Sequence, residues 1–241
     1  MKKFVFSLLL VLLSLSFAFT QKEKDKPVFL FNSYISNLYK SIPDLKSELS
    51  PELFKKAMIG YYNLKSNELV NNQNLISIID FSKPATEKRL WIIDLNKKQL
   101  LYHSLVAHGK NTGETYAESF SNTPGSFKSS LGFYITKSSY IGQHGLSLVL
   151  KGMDEGFNTN AESRSVVIHG ADYVCEEFIK SNGRLGRSYG CPAVPVETHK
   201  QIIELMQGGS LLYIHASSSN YNSTFLDEQK AVSRFVKERA H

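Results

Sequence analysis

The chain has 241 residues, 42% of them hydrophobic, which is enough for one sizeable core. Its 28 lysines and arginines against 22 aspartates and glutamates leave a net charge of +6. These basic residues are scattered rather than gathered in a stripe interleaved with aromatics, which argues against a nucleic-acid partner; a mildly basic surface is compatible with an anionic cell wall.

Lys2 and Lys3 precede an apolar run from Phe4 to Phe17 broken only by serines. That is the pattern of an export signal over residues 1–20, with Ser16-Phe17-Ala18 or Ala18-Phe19-Thr20 as the cleavage site. The run is short for a membrane span and is followed at once by Gln21-Lys22-Glu23-Lys24. An uncleaved anchor is the alternative. Cleavage removes Lys2 and Lys3, lowering the charge from +6 to +4. The mature protein is expected to be exported, periplasmic or cell-wall associated, without stable membrane insertion.

Residues 21–73 read as a helical segment. Tyr34, Leu38 and Tyr39 recur at helical spacing, and a clearer helix opens at Ser50-Pro51-Glu52. Leu53, Phe54, Ala57, Met58, Tyr61 and Leu64 form its apolar stripe. From Leu75 the period shortens. Strands are expected over 75–81, 89–95 and 99–106, the last two joined as a hairpin through Asn96-Lys97-Lys98. Residues 109–130 are rich in glycine, serine, threonine and asparagine, too long for a turn, and are expected to line or cover a site. Paired strands follow at 133–136 and 146–150, with His144 in the loop between them. Ser165 to Ile168 is a buried strand ending at His169, followed by a helix to about Lys180 that Asn182-Gly183 stops. A second helix is expected from Pro195 to Gln207, then a strand over 211–214. Residues 217–241 form a polar linker and an amphipathic tail, which docks on the domain, binds a partner or stays loose.

The chemistry concentrates at Gly186-Arg187-Ser188-Tyr189-Gly190-Cys191-Pro192-Ala193-Val194-Pro195, downstream of Val166-Val167-Ile168-His169-Gly170. A thiol in a glycine-proline turn and a histidine at the end of an apolar run are the parts of Cys/His nucleophilic catalysis. Gly190 permits a sharp turn, so the amides around Tyr189, Gly190 and Cys191 are candidate oxyanion donors. Composition alone leaves open a Cys175–Cys191 disulfide, although Cys175 sits in a helix-like run suited to burial. Gly186 to Gly190 also satisfies G-x-S-x-G. That motif needs a strand before the serine and a helix after it, and neither is expected here. No cluster has metal-ligand spacing, so neither metal nor cofactor is expected.

The segment resembles the catalytic domain of the YkuD-like murein L,D-transpeptidases, in the branch where G-R-S-x-G-C-P-A-V-P replaces the commoner S-H-G-C-x-R. The likeness extends over most of residues 74–216, through Val106-Ala107-His108-Gly109, Asn122-Thr123-Pro124-Gly125-Ser126-Phe127 and Ile168-His169-Gly170-Ala171. It departs from the commoner motif at Tyr189, which replaces a histidine, and at Ala193, which replaces an arginine. The resemblance implies a mainly β fold, a β-sandwich or barrel with a few peripheral helices and the N-terminal helical segment. It also implies a free catalytic thiol at Cys191, His169 as its base, and peptidoglycan tetrapeptide stems as substrate. A thioester would be resolved by a neighbouring stem into a 3–3 cross-link. With water as acceptor the same site makes an L,D-carboxypeptidase; a non-catalytic wall-binding module is a further alternative. Ser188, Arg187, Gly170, Arg164 and His108 are the candidate substrate-binding residues; Arg164 and Arg187 could hold substrate carboxylates, Arg187 being the more interesting substitute for the missing arginine.

Overall fold

A computed structural model describes residues 26–45, 48–65, 67–217 and 220–240. The expected export signal lies outside the described residues. Helix α1 covers residues 26–41, and α2 (Pro51–Lys65) begins where Ser50 caps it, its Oγ accepting from Leu53 N at 3.1 Å. The strands are β1 (Leu75–Asp80), β2 (Leu90–Asp94), β3 (Gln99–Ser104), β4 (Gly132–Gly142), β5 (Gly145–Gly152), β6 (Val167–Ala171), β7 (Ala193–Pro195) and β8 (Leu211–His215). Between them lie α3 (Glu176–Asn182) and α4 (His199–Met206), and α5 (Glu228–Arg239) follows β8.

All eight strands form one sheet in the order β3-β2-β1-β8-β4-β5-β6-β7. The chain leaving β3 then reaches the opposite edge, where Ala107 N donates to Ala193 O at 2.8 Å and Ala193 N to Ala107 O at 3.3 Å. These bonds bring the two edge strands together and make the sheet nearly a barrel. The fold is mostly sheet, as expected.

Period-two alternation explains why the strands are apolar on both faces. Ile76, Ile78, Trp91, Ile93, Phe133, Leu211 and Tyr213 point to one side, where α1, α2 and α5 cover them. Leu75, Ile79, Ile92, Tyr134, Leu148, Ile168 and Leu212 point to the other, filled by Ile202, Ile203 and Met206 of α4. Gly60 is where α2 lies against the sheet: a Cβ there would stand 2.1 Å from the Phe133 ring. Gly60→Ala is therefore expected to lower stability by ~1–3 kcal/mol through overpacking, read as a shift in the urea unfolding midpoint.

The tail docks. Asn63 of α2 donates to Phe225 O and Asp227 O at 2.7 and 2.9 Å, and Arg234 bonds back to Asn63 O. Buried Asp154 ties the preceding linker to β4, accepting from Phe133 N, Tyr221 Oη and Ser223 Oγ at 2.6, 2.9 and 2.5 Å. Two local expectations need correction. Residues 193–195 are strand, so Pro195 does not open a helix, because β7 pairs in parallel with β6, Ala193 beside His169. The helix after them begins only at His199. Cys175 is not inside a helix either. It is the N-cap of α3, its Sγ accepting from Phe178 N at 3.4 Å.

Candidate active site

Strands β6 and β7 set the two candidate reacting groups. Parallel pairing puts His169 beside Ala193 and brings Cys191, two residues earlier, to the level of Val167. Val167 N donates to Cys191 Sγ at 3.5 Å, and the thiol itself points at Ser165 O, 3.6 Å away. Alternation sends Ile168 into the barrel and His169 to the opposite side. His169 and Cys191 line one cavity of ≈ 570 Å³. Both cysteines are free thiols.

His169 is oriented by its neighbour. Its Nδ1 lies 3.0 Å from Gly170 O, an acceptor only, so Nδ1 carries the proton and Nε2 keeps its lone pair. His144, at the tip of the β4–β5 hairpin, stacks on the His169 ring at 4.5 Å and 23°. The hairpin loop thus reaches the site, with His144 against the ring rather than turned to solvent. Burial lowers the His169 pKa below its ordinary value, helped by His144 and His199 and opposed by the bond to Gly170 O. Burial also raises the Cys191 thiol, against the opposing pull of the Val167 N–H and of Arg164. Both shifts favour the neutral thiol and imidazole over an ion pair.

The turn before Cys191 is built by Ser188. Its Oγ donates to Cys191 O at 2.6 Å and accepts from Gly190 N at 3.0 Å. The Gly190 amide is therefore occupied and does not face an incoming carbonyl, which removes it from the expected oxyanion donors. Among the described residues, no hydrogen bond engages the amides of Tyr189 and Cys191. Gly190 itself is required by shape. Its φ is +125°, and a Cβ would meet Lys128 O at 2.9 Å.

The other expected residues divide. Arg187, Ser188 and Tyr189 line the cavity, Tyr189 exposed on its rim and packed on Phe127 at 4.8 Å. Gly170 lies against the His199 ring, where a Cβ would stand 2.7 Å from its Cγ. Arg164 is not brought into the cavity. Its guanidinium binds Ser121 O, Ser130 Oγ and Lys128 O at 2.5–2.7 Å, and so braces the loop behind Gly190.

His108 is not in the cavity either: it is 1% exposed. Buried Arg89 donates to its Nδ1 at 2.8 Å, leaving Nε2–H to reach Gly113 O at 3.2 Å. Burial and the Arg89 charge push its pKa down to about 4 from 6.5. Between those values the unfolded chain binds a proton that the folded one refuses, so stability falls as pH falls. The loss is about 3 kcal/mol from pH 6.5 to 4. The fall in unfolding free energy across that range, read from denaturant titrations, should be smaller in His108→Gln than in wild type by this amount.

Sequence reasoning missed Arg184 and Lys110 on the cavity wall. Lys110 comes from a loop far upstream of Cys191, and Arg184, seven positions before the cysteine, carries no motif signal of its own. Among the described residues, no group of three or more His, Cys, Asp or Glu is placed to hold a metal ion. No helix there is long and apolar enough to cross a membrane.

A half-buried thiol, an oriented imidazole and two unengaged amides around one cavity form a constellation suited to acyl transfer. The sequence matches the L,D-transpeptidase catalytic domain family over residues 45–215, and the chain belongs to that family. No curated protein matches it. Among solved structures it is similar to an L,D-transpeptidase from Mycobacterium smegmatis, with 11% identity over 59% of each chain and a TM-score of 0.36. It also resembles Pgp2, the helical cell shape determining protein of Campylobacter jejuni, as a K307A mutant. There the identity is 13%, the coverage 77% of this chain and 64% of that one, and the TM-score 0.43. An L,D-transpeptidase from Stackebrandtia nassauensis aligns at 12% identity over 74% and 73%, with a TM-score of 0.34. The chain thus spans 59% of the first of these structures and 64% of the second.

Proposed function

We propose that this protein is an exported, cysteine-dependent murein L,D-transpeptidase that joins peptidoglycan tetrapeptide stems by 3–3 cross-links. The observation that carries this is a free Cys191 thiol and an Nδ1-protonated His169 opening into one cavity, in a chain of this family. His169 Nε2 takes the thiol proton as Cys191 Sγ attacks the carbonyl between the third residue of the stem and its terminal D-Ala. The tetrahedral oxyanion is met by the Tyr189 and Cys191 amides. The imidazolium returns the proton to the departing amine of D-Ala, leaving a thioester on Cys191. A side-chain amine of a second stem then attacks the thioester. Its proton passes through His169 to the released sulfur, closing the cycle. Export follows from the charged and apolar pattern of residues 1–20.

Because both shifts favour the neutral groups, the activity profile is expected to be broad. Activity should be lost on the acid side only below the ordinary histidine value, as His169 protonates. Loss on the alkaline side comes above the ordinary cysteine value, as the site loses the proton the leaving amine needs. Rates of D-Ala release from pH 4 to 10 test this. A narrow bell centred near 7.5 would contradict it.

The deciding experiment incubates the mature protein with a purified tetrapeptide muropeptide and records intact mass and small products. Cys191-dependent D-Ala release with a dimeric muropeptide is the expected result. Release without dimer marks an L,D-carboxypeptidase. An inert protein marks a wall-binding module and overturns the proposal.

A further inference from the structure

The cavity that holds Cys191 and His169 has a charged wall. Lys110, Arg184 and Arg187 line it, and Lys110 and Arg187 also line an adjoining cavity that holds Glu114. Lys110 is partly engaged, its Nζ standing 4.4 Å from the ring centres of both Phe127 and Tyr189. The two arginines share something else: a carboxylate. Glu114 Oε2 lies 2.8 Å from Arg184 Nε, and Glu114 Oε1 lies 2.7 Å from Arg187 Nη1. One oxygen serves each guanidinium, a bridge that any carboxylate of that width can make.

The arginines do not depend on Glu114 for their positions. Arg184 Nη1 donates to Leu185 O at 2.8 Å, and Arg187 Nη1 to Lys110 O and Gly113 O at 3.1 and 3.0 Å. Glu114 is the loosely held member. Its side chain is 69% exposed, against 27% and 20% for its partners. Ion pairs so open to water contribute about 1 kcal/mol or less, so exchange of one carboxylate for another is cheap. Ala193, where the commoner family motif carries an arginine, is buried in β7 and offers substrate no charge.

We propose that Arg184 and Arg187 form a carboxylate-binding subsite at the edge of the catalytic cavity, occupied in the resting protein by Glu114 from the adjoining cavity and taken by a substrate carboxylate that displaces it. Resting on the transpeptidase function above, the ligand is the free carboxylate of the terminal D-Ala, one residue beyond the bond attacked. Glu114 then acts as a place-holder. It keeps the arginines apart and paired when the cavity is empty, and it lowers affinity for weakly binding anions.

The test reads the thiol without needing any stem-peptide chemistry. In a Cys175→Ser background, Cys191 is alkylated with iodoacetamide while N-acetyl-D-alanine or its amide is titrated in. Saturable protection by the acid and none by the amide is expected. Arg184→Gln and Arg187→Gln should each weaken protection about tenfold, the loss of one charge-assisted contact. Glu114→Gln should strengthen it several-fold, and Glu118→Gln, a nearby charge change without the bridge, should leave it unaltered. Uninhibited alkylation rates and far-UV circular dichroism check that each variant is folded with its thiol intact. Equal protection by acid and amide overturns the subsite, as does unchanged protection in Arg184→Gln. Weaker protection in Glu114→Gln would make Glu114 a brace and overturn the displacement. Protection by the acid in a protein that releases no D-Ala would instead overturn only the proposed reaction.

Discussion

Cys191→Ser is expected to abolish D-Ala release, lowering the rate by at least about 10⁴-fold, the scale on which removal of a nucleophile acts. The size follows from the two resting protonation states. A thiol is intrinsically nucleophilic and can pass its proton to a weak base, whereas a hydroxyl requires a much stronger one. Burial, together with His144 and His199, makes His169 a weaker base than an ordinary histidine. It cannot meet the extra demand. The fold should be untouched, because the Sγ contacts are weak, at 3.5 and 3.6 Å, and a hydroxyl can make both. Thermal unfolding of the variant should therefore match wild type while turnover disappears. Cys175→Ser is the contrast. That sulfur caps α3, 16 positions before Cys191, and its replacement should leave turnover unchanged. Substantial activity in Cys191→Ser would remove the thiol from the chemistry.

Gly190→Ala is expected to have the next largest effect, a loss of about 10²-fold in kcat or more with a folded protein. A φ of +125° is strained for any L side chain, of order 1–3 kcal/mol. The added Cβ would also press on Lys128 O at 2.9 Å, a backbone atom that Arg164 Nη2 holds at 2.6 Å. The turn can relieve this only by rotating, which moves the Tyr189 and Cys191 amides and breaks the Gly190 N bond to Ser188. A displacement of about 1 Å in a catalytic group costs on the order of 100-fold. Gly125→Ala is the matched control. It also has a positive φ, +72°, yet nothing lies within 4 Å of its Cβ. Kinetics and melting curves of the two variants separate strain at the site from strain elsewhere. Equal and small effects in both would show that the turn tolerates rearrangement.

Strands β1, β2, β4 and β8 were legible because an apolar run bounded by turn residues has few other uses. The short β7 was not, since three residues ending in proline become strand only when β6 supplies a partner. His108 looked like a loop histidine open to substrate. It is buried because Arg89, 19 positions away, needs an acceptor for its guanidinium. Gly190 makes the sharp turn that its residue type permits, but its amide is not an open donor. A serine two residues back competes for that N–H at short range, as serine side chains do in turns. The Arg184–Glu114–Arg187 bridge had no signal at all, joining residues about 70 positions apart.

The sequence by itself determined that the chain is mostly sheet with flanking helices. It also singled out a cysteine in a glycine-proline turn and a histidine closing a buried strand, the pair on which the proposed reaction rests. Those features are local: periodicity, backbone freedom and residue type are written in consecutive positions. Tertiary structure alone decided which charges face the cavity, which amides remain open, and which histidine touches His169. Burial and hydrogen-bond competition depend on segments that meet only when the sheet nearly closes, and no window of sequence contains both partners.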